Sequence, residues 1–136
     1  MIDRIAISTR ARTELFDITR KIEELIKKSK VRSGVCHIFV PHTTAGLTIN
    51  ENADPNVKDD ILNGLERAVP FDSYYAHSEG NAAAHIKSTL AGTDKVVLIE
   101  NGAMKLGTWQ GIFFCEFDGP CQRNIFVHIQ AEQDKY

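Results

Sequence analysis

The spacing of apolar residues changes period several times along this chain, and each change marks an element. Ile5 and Ile7 alternate with polar neighbours, which predicts a first strand from about Asp3 into the arginine-rich stretch beyond Thr9. Leu15, Ile18, Ile22, Leu25 and Ile26 then share one face at helical spacing. Lys27 and Lys28 lie near that helix's end, where cations suit its dipole. Gly34 introduces a strand from Val35 to Val40, and Leu47 and Ile49 alternate in another short one. Asp54-Pro55 starts a helix, because Asp can cap it and Pro fits its first turn. Val57, Ile61, Leu62 and Leu65 supply its buried stripe, and Pro70 ends it. Asn81 is placed to cap a short helix through His85 to Leu90, with Gly92 at its end. Lys95 to Glu100 reads as a strand, followed by the hairpin signal Asn101-Gly102. Two more strands cover about Trp109 to Phe117 and Asn124 to Gln130, joined by Asp118-Gly119-Pro120. Strands outnumber helices, and short turns link most of them. The expected class is α+β, one compact domain over residues 1–136 with a largely antiparallel sheet and about three helices.

Composition narrows the function classes. The 136 residues are 43% hydrophobic and 25% charged, enough to bury a core. A net charge of -2 lacks the basic footprint of a nucleic-acid binder. No apolar run is long enough to span a bilayer, and Met1-Ile2-Asp3-Arg4 opens no signal-peptide pattern. The expectation is a cytoplasmic protein with a small-molecule substrate and neither a nucleic-acid nor a membrane partner. Of three cysteines, Cys36 and Cys115 lie in apolar runs and read as small buried hydrophobes. There is no Cys-x-x-Cys pair, so a reduced compartment is the simplest setting.

The candidate chemistry lies in the polar stretches. His42 opens His42-Thr43-Thr44-Ala45-Gly46, and His77 and His85 bracket a segment that leads into a helix. Three imidazoles with an open fourth position make a workable catalytic metal site, the other reading being surface or capping histidines. Such a ligand set suits a divalent ion of the zinc type better than Mg²⁺, which prefers carboxylate and water oxygens. Glu51 could accept a proton or orient a metal-bound histidine, or be a solvated loop acid. Asp54 could position it, or only cap the helix. Thr43, the helix start at Asn81 and Arg123 could take an anionic group, although an Arg near a strand start is commonly a solvated edge charge. Gly107-Thr108-Trp109-Gln110-Gly111 places an aromatic and an amide between glycines. Trp109 reads as a half-buried core residue or a stacking platform, and Gln110 as a substrate contact or a loop support. His37 and His128 sit mid-strand and read as structural histidines on the sheet's less buried side. Phosphate-binding loops, dinucleotide fingerprints and a serine nucleophile elbow are absent from the sequence.

Taken in order, His42-Thr43-Thr44-Ala45, Asn50-Glu51-Asn52-Ala53-Asp54-Pro55, His77 with Glu79-Gly80-Asn81, Ala84-His85-Ile86-Lys87, and Gly107-Thr108-Trp109-Gln110-Gly111 closely resemble the YjbQ family across nearly the whole chain. The resemblance implies a compact α+β unit assembled as a homotrimer. It also implies a secondary thiamine-phosphate synthase activity, joining a pyrimidine diphosphate to a thiazole phosphate. It would place a shared polar site on His42, Glu51, Asp54, His77, Asn81, His85, Gln110 and Arg123. One departure is Cys121, which stands where many family members carry a basic residue. The expected function is a metal-dependent enzyme acting on a small phosphorylated molecule. His42, His77 and His85 would hold the metal, Glu51, Asp54 and Gln110 would serve catalysis, and Thr43, Asn81 and Arg123 would bind substrate. A non-catalytic metal- or metabolite-binding protein is the alternative.

Overall fold

A computed structural model describes residues 1–133. Eight strands and three helices follow one another as β1 (Asp3–Ser8), β2 (Glu14–Asp17), α1 (Thr19–Ser29), β3 (Gly34–Phe39), β4 (Ala45–Glu51), α2 (Pro55–Ala68), α3 (Ala82–Ala91), β5 (Asp94–Glu100), β6 (Ala103–Met104), β7 (Gln110–Glu116) and β8 (Gln122–Ala131). The strands form two sheets rather than one. The first has five strands in the order β1-β8-β3-β5-β6, and the second has three in the order β2-β7-β4. Every strand pairing is antiparallel, as the sequence predicts.

The two sheets face each other over the main core. Cys36 and Ile38 of β3, Val97 and Ile99 of β5, and Ile125 and Val127 of β8 meet Leu47 of β4 and Ile112 and Phe114 of β7. Helix α1 adds Ile22 and Ile26. The far side of the three-stranded sheet carries a second core. There Leu15, Phe113, Cys115 and Phe117 meet Ala84 of α3, with Ile61, Leu62 and Leu65 of α2 packed alongside. The three-stranded sheet is therefore covered on both faces, and the five-stranded sheet on one.

Local chemistry explains most boundaries. Asp54 caps α2 by accepting the amide N–H of Asn56 at 2.9 Å, with Pro55 in the first turn. Asn101 and Gly102 both take positive φ, the geometry of a two-residue hairpin turn, and join β5 to β6. Helix α3 is rich in alanine, so it lies close against β4. The hydroxyl of Ser88 donates to the carbonyl of Ala45 at 2.6 Å. A side chain at Gly46 would meet the Gly92 carbonyl oxygen at 2.5 Å.

Three expected boundaries move. Leu15 is not on the first helix's apolar face. It belongs to β2, pairs with Cys115 and faces the second core, and α1 begins at Thr19 with Ile18 as its N-cap. The first strand stops at Ser8, and the arginine-rich stretch bends toward β2. The strand holding Leu47 and Ile49 is longer than the alternation suggests, because it pairs with β7 from Ala45 to Glu51. Among the described residues no helix is long and apolar enough to cross a membrane.

Candidate functional site

Strand β4 separates the candidate residues into two groups. Its register pairs Ala45 with Glu116 at one end and Glu51 with Gln110 at the other. Six residue steps of extended chain put those ends about 20 Å apart. The segment His42-Thr43-Thr44 enters β4 at the Glu116 end. Glu51, Asp54 and Gln110 lie at the opposite end. Within one chain the expected polar site is thus not one cluster.

The Glu116 end is organised by a buried ion pair. Glu116 is fully buried on β7, and Arg123 of β8 is 7% exposed. The Arg123 guanidinium grips the carboxylate through two donors, Nε to Oε1 at 2.9 Å and Nη2 to Oε2. Nη2 also donates to the Thr44 hydroxyl at 2.9 Å, and the Thr9 hydroxyl donates to Glu116 Oε1 at 2.7 Å. The Asp118 amide donates to Glu116 Oε2, and Asn81 Nδ2 donates to Asp118 Oδ2 at 2.9 Å. These bonds tie the start of α3 to β7 and β8 and to the residues that flank β1 and β4. Burial alone would raise the Glu116 carboxyl, but hydrogen bonds from Arg123, Thr9 and Asp118 outweigh it and hold it below the usual range. The same carboxylate raises Arg123 further.

Arg123 is therefore not the solvated edge charge of the sequence reading. Its charge is also matched within the chain, which weakens it as a phosphate clamp. Asn81 occupies the N-cap position of α3, but its side chain does not cap. It faces Asp118, and its Oδ1 is buried without a hydrogen-bond partner. An adjacent carboxylate makes that helix start a poor phosphate site.

The three histidines gather at this end in two steps. The rings of His77 and His85 meet edge to face with centroids 5.2 Å apart. His85 and His42 line one open cleft of about 480 Å³, together with Thr43, Ser88, Thr89 and Thr93. His42 Nε2 accepts the backbone N–H of Asn124 at 2.9 Å. A neutral ring so engaged carries its proton on Nδ1, which makes His42 a donor with no lone pair left for a metal. Burial, then the nearby Arg123 cation, lowers the His42 pKa and favours that neutral form. Among the described residues no group of three or more His, Cys, Asp or Glu side chains is arranged to hold a metal ion. The expected three-histidine ligand set does not form within one chain. What the fold brings together is an imidazole pair and a separate imidazole donor. Glu79 stays on the surface, 3.7 Å from the His77 ring.

The opposite end is a braced loop. Gln110 Oε1 accepts the amide of Gly107 at 2.8 Å, so this side chain holds the loop. The Trp109 carbonyl accepts the amide of Asn52 at 2.9 Å. Trp109 is 61% exposed, not half-buried in a core. Glu51 is partly exposed beside it, and Asp54 is spent on capping α2.

Glu116 is the residue that sequence reasoning missed. The signal was present: one acid inside the apolar run Ile112-Phe113-Phe114-Cys115-Glu116-Phe117 needs a buried cation. Lys87 is a second case, 1% exposed on α3 and paired with Glu66 at 2.7 Å.

Comparison with known proteins places this architecture. The family model described as UPF0047 protein YjbQ-like matches residues 3–132. A UPF0047 protein from Methanocaldococcus jannaschii is 53% identical over 133 residues, covering 98% of this chain and 96% of its own. The UPF0047 protein YugU from Bacillus subtilis is 48% identical over 132 residues, covering 96% and 100%. A crystal structure of an uncharacterized YjbQ/UPF0047 protein from Clostridium acetobutylicum superposes with a TM-score of 0.93 at 48% identity, covering 94% of this chain and 99% of that one. A YbjQ-like protein of unknown function from Sulfolobus solfataricus gives 0.93 at 36% identity, covering 97% of each chain.

Proposed function

The chain belongs to the YjbQ-like UPF0047 family, and from that premise we propose an enzyme that binds a small phosphorylated molecule in the cleft between His42 and His85. The observation that carries this reading is the fixed orientation of His42, whose Nε2 is held by the Asn124 amide while its proton lies on Nδ1. A positioned imidazole N–H beside a cleft lined by Thr43, Thr89 and Thr93 is a hydrogen-bond donor with a binding surface. In the thiamine-phosphate synthase reaction, the carbon–oxygen bond to the diphosphate would break as the same pyrimidine carbon bonds to the thiazole nitrogen, and His42 Nδ1–H would hydrogen-bond to the departing diphosphate without giving up its proton.

The same site gives a reason for that activity to be secondary. The phosphate groups would meet hydroxyls rather than a free cation, since Glu116 already matches Arg123. The cleft also borders the C-terminal half of α3, the carbonyl end of its dipole, which does not favour anions. A divalent metal enters the proposal only through His77 and His85, zinc before magnesium. Further ligands would have to come from outside one chain. We place the working site in a homotrimer, where a neighbouring copy can bring the Glu51 and Gln110 end to this cleft. The alternative, a metabolite-binding protein without turnover, is supported by the cleft's lining of imidazoles and hydroxyl-bearing residues, with no carboxylate among the described residues that line it.

The test is thiamine phosphate formation from the two precursors with Mg²⁺, Mn²⁺ or Zn²⁺, using wild type and the His42→Ala and His85→Ala variants. Slow product formation that both variants lose is expected. Absence of product with wild type removes the activity, and binding without product selects the alternative. Metal content of His77→Ala checks the imidazole pair.

A further inference from the structure

We propose that the hollow formed by the loop between α2 and α3 is a subsite for a flat, amino-bearing nitrogen heterocycle, the ring end of a molecule whose phosphate lies in the His42 cleft. The phosphate half rests on the function proposed above, whereas the ring site stands on the loop itself.

Residues 69–81 form this loop, and its first turns are braced from outside. Glu66 of α2 accepts the Phe71 amide at 2.8 Å through one carboxylate oxygen. Through the other it accepts the buried Lys87 ammonium of α3 at 2.7 Å. The Arg12 guanidinium lies over the Phe71 ring, 4.0 Å from its centroid. The Tyr75 hydroxyl donates to the Pro70 carbonyl. A loop held at these points keeps its hollow before a ligand arrives, which lowers the ordering cost of binding. Tyr74 stands between these anchors and is fully exposed to water. An aromatic of that size, left open on a braced loop, is a surface for stacking.

The hollow measures about 500 Å³, the size of a small-molecule site. Phe71, Tyr74 and Tyr75 line it, together with Asp72 and His77. Its lining holds one carboxylate and no lysine or arginine. Asp72 has no ion-pair partner among the described residues. Glu79 adds a second negative charge 3.7 Å from the His77 ring. Such a lining disfavours a phosphate or a carboxylate. Aromatic faces beside a carboxylate select a flat ring that is electron-poor and carries N–H donors. An amino-bearing nitrogen heterocycle has both properties. Its position also fits the cleft. His77 lines this hollow, His85 lines the cleft with His42, and the two rings meet edge to face at 5.2 Å. One imidazole pair therefore stands between the two spaces, and a molecule with a ring and a phosphate can place one on each side of it.

Proton NMR titration of the full chain with 4-aminopyrimidine, a ring without phosphate, tests the site. Unsubstituted pyrimidine is the comparison probe, and the variants are Tyr74→Ala, Asp72→Asn and Trp109→Ala. All three positions are exposed, and far-UV circular dichroism checks that each variant folds. Wild type should bind the amino-bearing probe more tightly than pyrimidine. Tyr74→Ala should weaken both at least about fivefold. Asp72→Asn should weaken only the amino-bearing probe, at least about threefold. Trp109→Ala should change neither. Wild type that binds neither probe overturns the subsite, and so does binding that Tyr74→Ala leaves unmoved. Loss in Trp109→Ala would seat the ring at the other end of β4, and displacement by inorganic diphosphate would seat it in the cleft; either result overturns the proposal. Turnover is not read here, so ring binding by a chain that makes no thiamine phosphate leaves this site standing while the reaction falls.

Discussion

Strands β7 and β5 use similar residues to opposite ends. From Gly111 to Glu116 every residue of β7 is buried, because its sheet lies between the five-stranded sheet on one side and α2 and α3 on the other. In β5 only Val97 and Ile99 are buried, and their neighbours Val96 and Leu98 point outward. Both strands are apolar runs, so hydrophobicity alone does not distinguish them. Coverage does. The covered sheet supplies stability and the Glu116 half of the buried ion pair, whose Arg123 reaches across from β8. The half-covered sheet offers surface.

The sharpest break in that comparison is at Glu116. Replacing it with Leu leaves Arg123 buried without its partner, and should lower unfolding free energy by about 3–5 kcal/mol in urea titration. Phe113→Ala, on the same strand, should cost about 3–5 kcal/mol by emptying the second core. Gly46→Ala forces β4 and α3 apart, with an expected loss of about 1–3 kcal/mol in the same measurement. Val96→Thr on the open face should change the unfolding free energy of the dissociated chain by no more than about 0.5 kcal/mol. A large loss there would mean that this face is already covered within one chain.

The covered side also sets a pH dependence. His42 is lowered in the folded chain, so between its folded and unfolded pKa values the unfolded chain binds the extra proton. Its contribution to stability therefore falls as pH drops from about 6.5 toward the folded pKa, and is level outside that window. Glu116 is also lowered, so its contribution is present above the unfolded carboxylate pKa and is lost as pH falls through the folded one. Stability measured from pH 7 to 3 should decline, and His42→Gln should remove the part of the decline that begins at about pH 6.5.

Much of the fold was legible because short-range rules governed it. Asp54-Pro55, Asn101-Gly102 and the buried Cys36 and Cys115 all behave as their local patterns demand. The pattern failed at Leu15, which sits three residues before Ile18 and so fits a helix, yet pairs across to Cys115. Nothing local records that partner. The division into two sheets is equally non-local. The candidate site suffered most, because motif order does not reveal that β4 carries His42 and Glu51 to opposite ends. Trp109 was misjudged because a tryptophan usually repays burial, and only the Gly107–Gln110 turn shows it held outward.

The cysteines turn the two sheets into separately timed events. Cys36 sits in β3 and Cys115 in β7, and burial pushes their thiols up to about 11 and about 12. A thiol reacts as its thiolate, so each stays silent until its own strand opens to solvent. A slow alkylating reagent followed by mass spectrometry would then record two native-state opening rates from one sample, one for each sheet. Cys121, partly exposed at the loop between β7 and β8, supplies the early signal against which both are read.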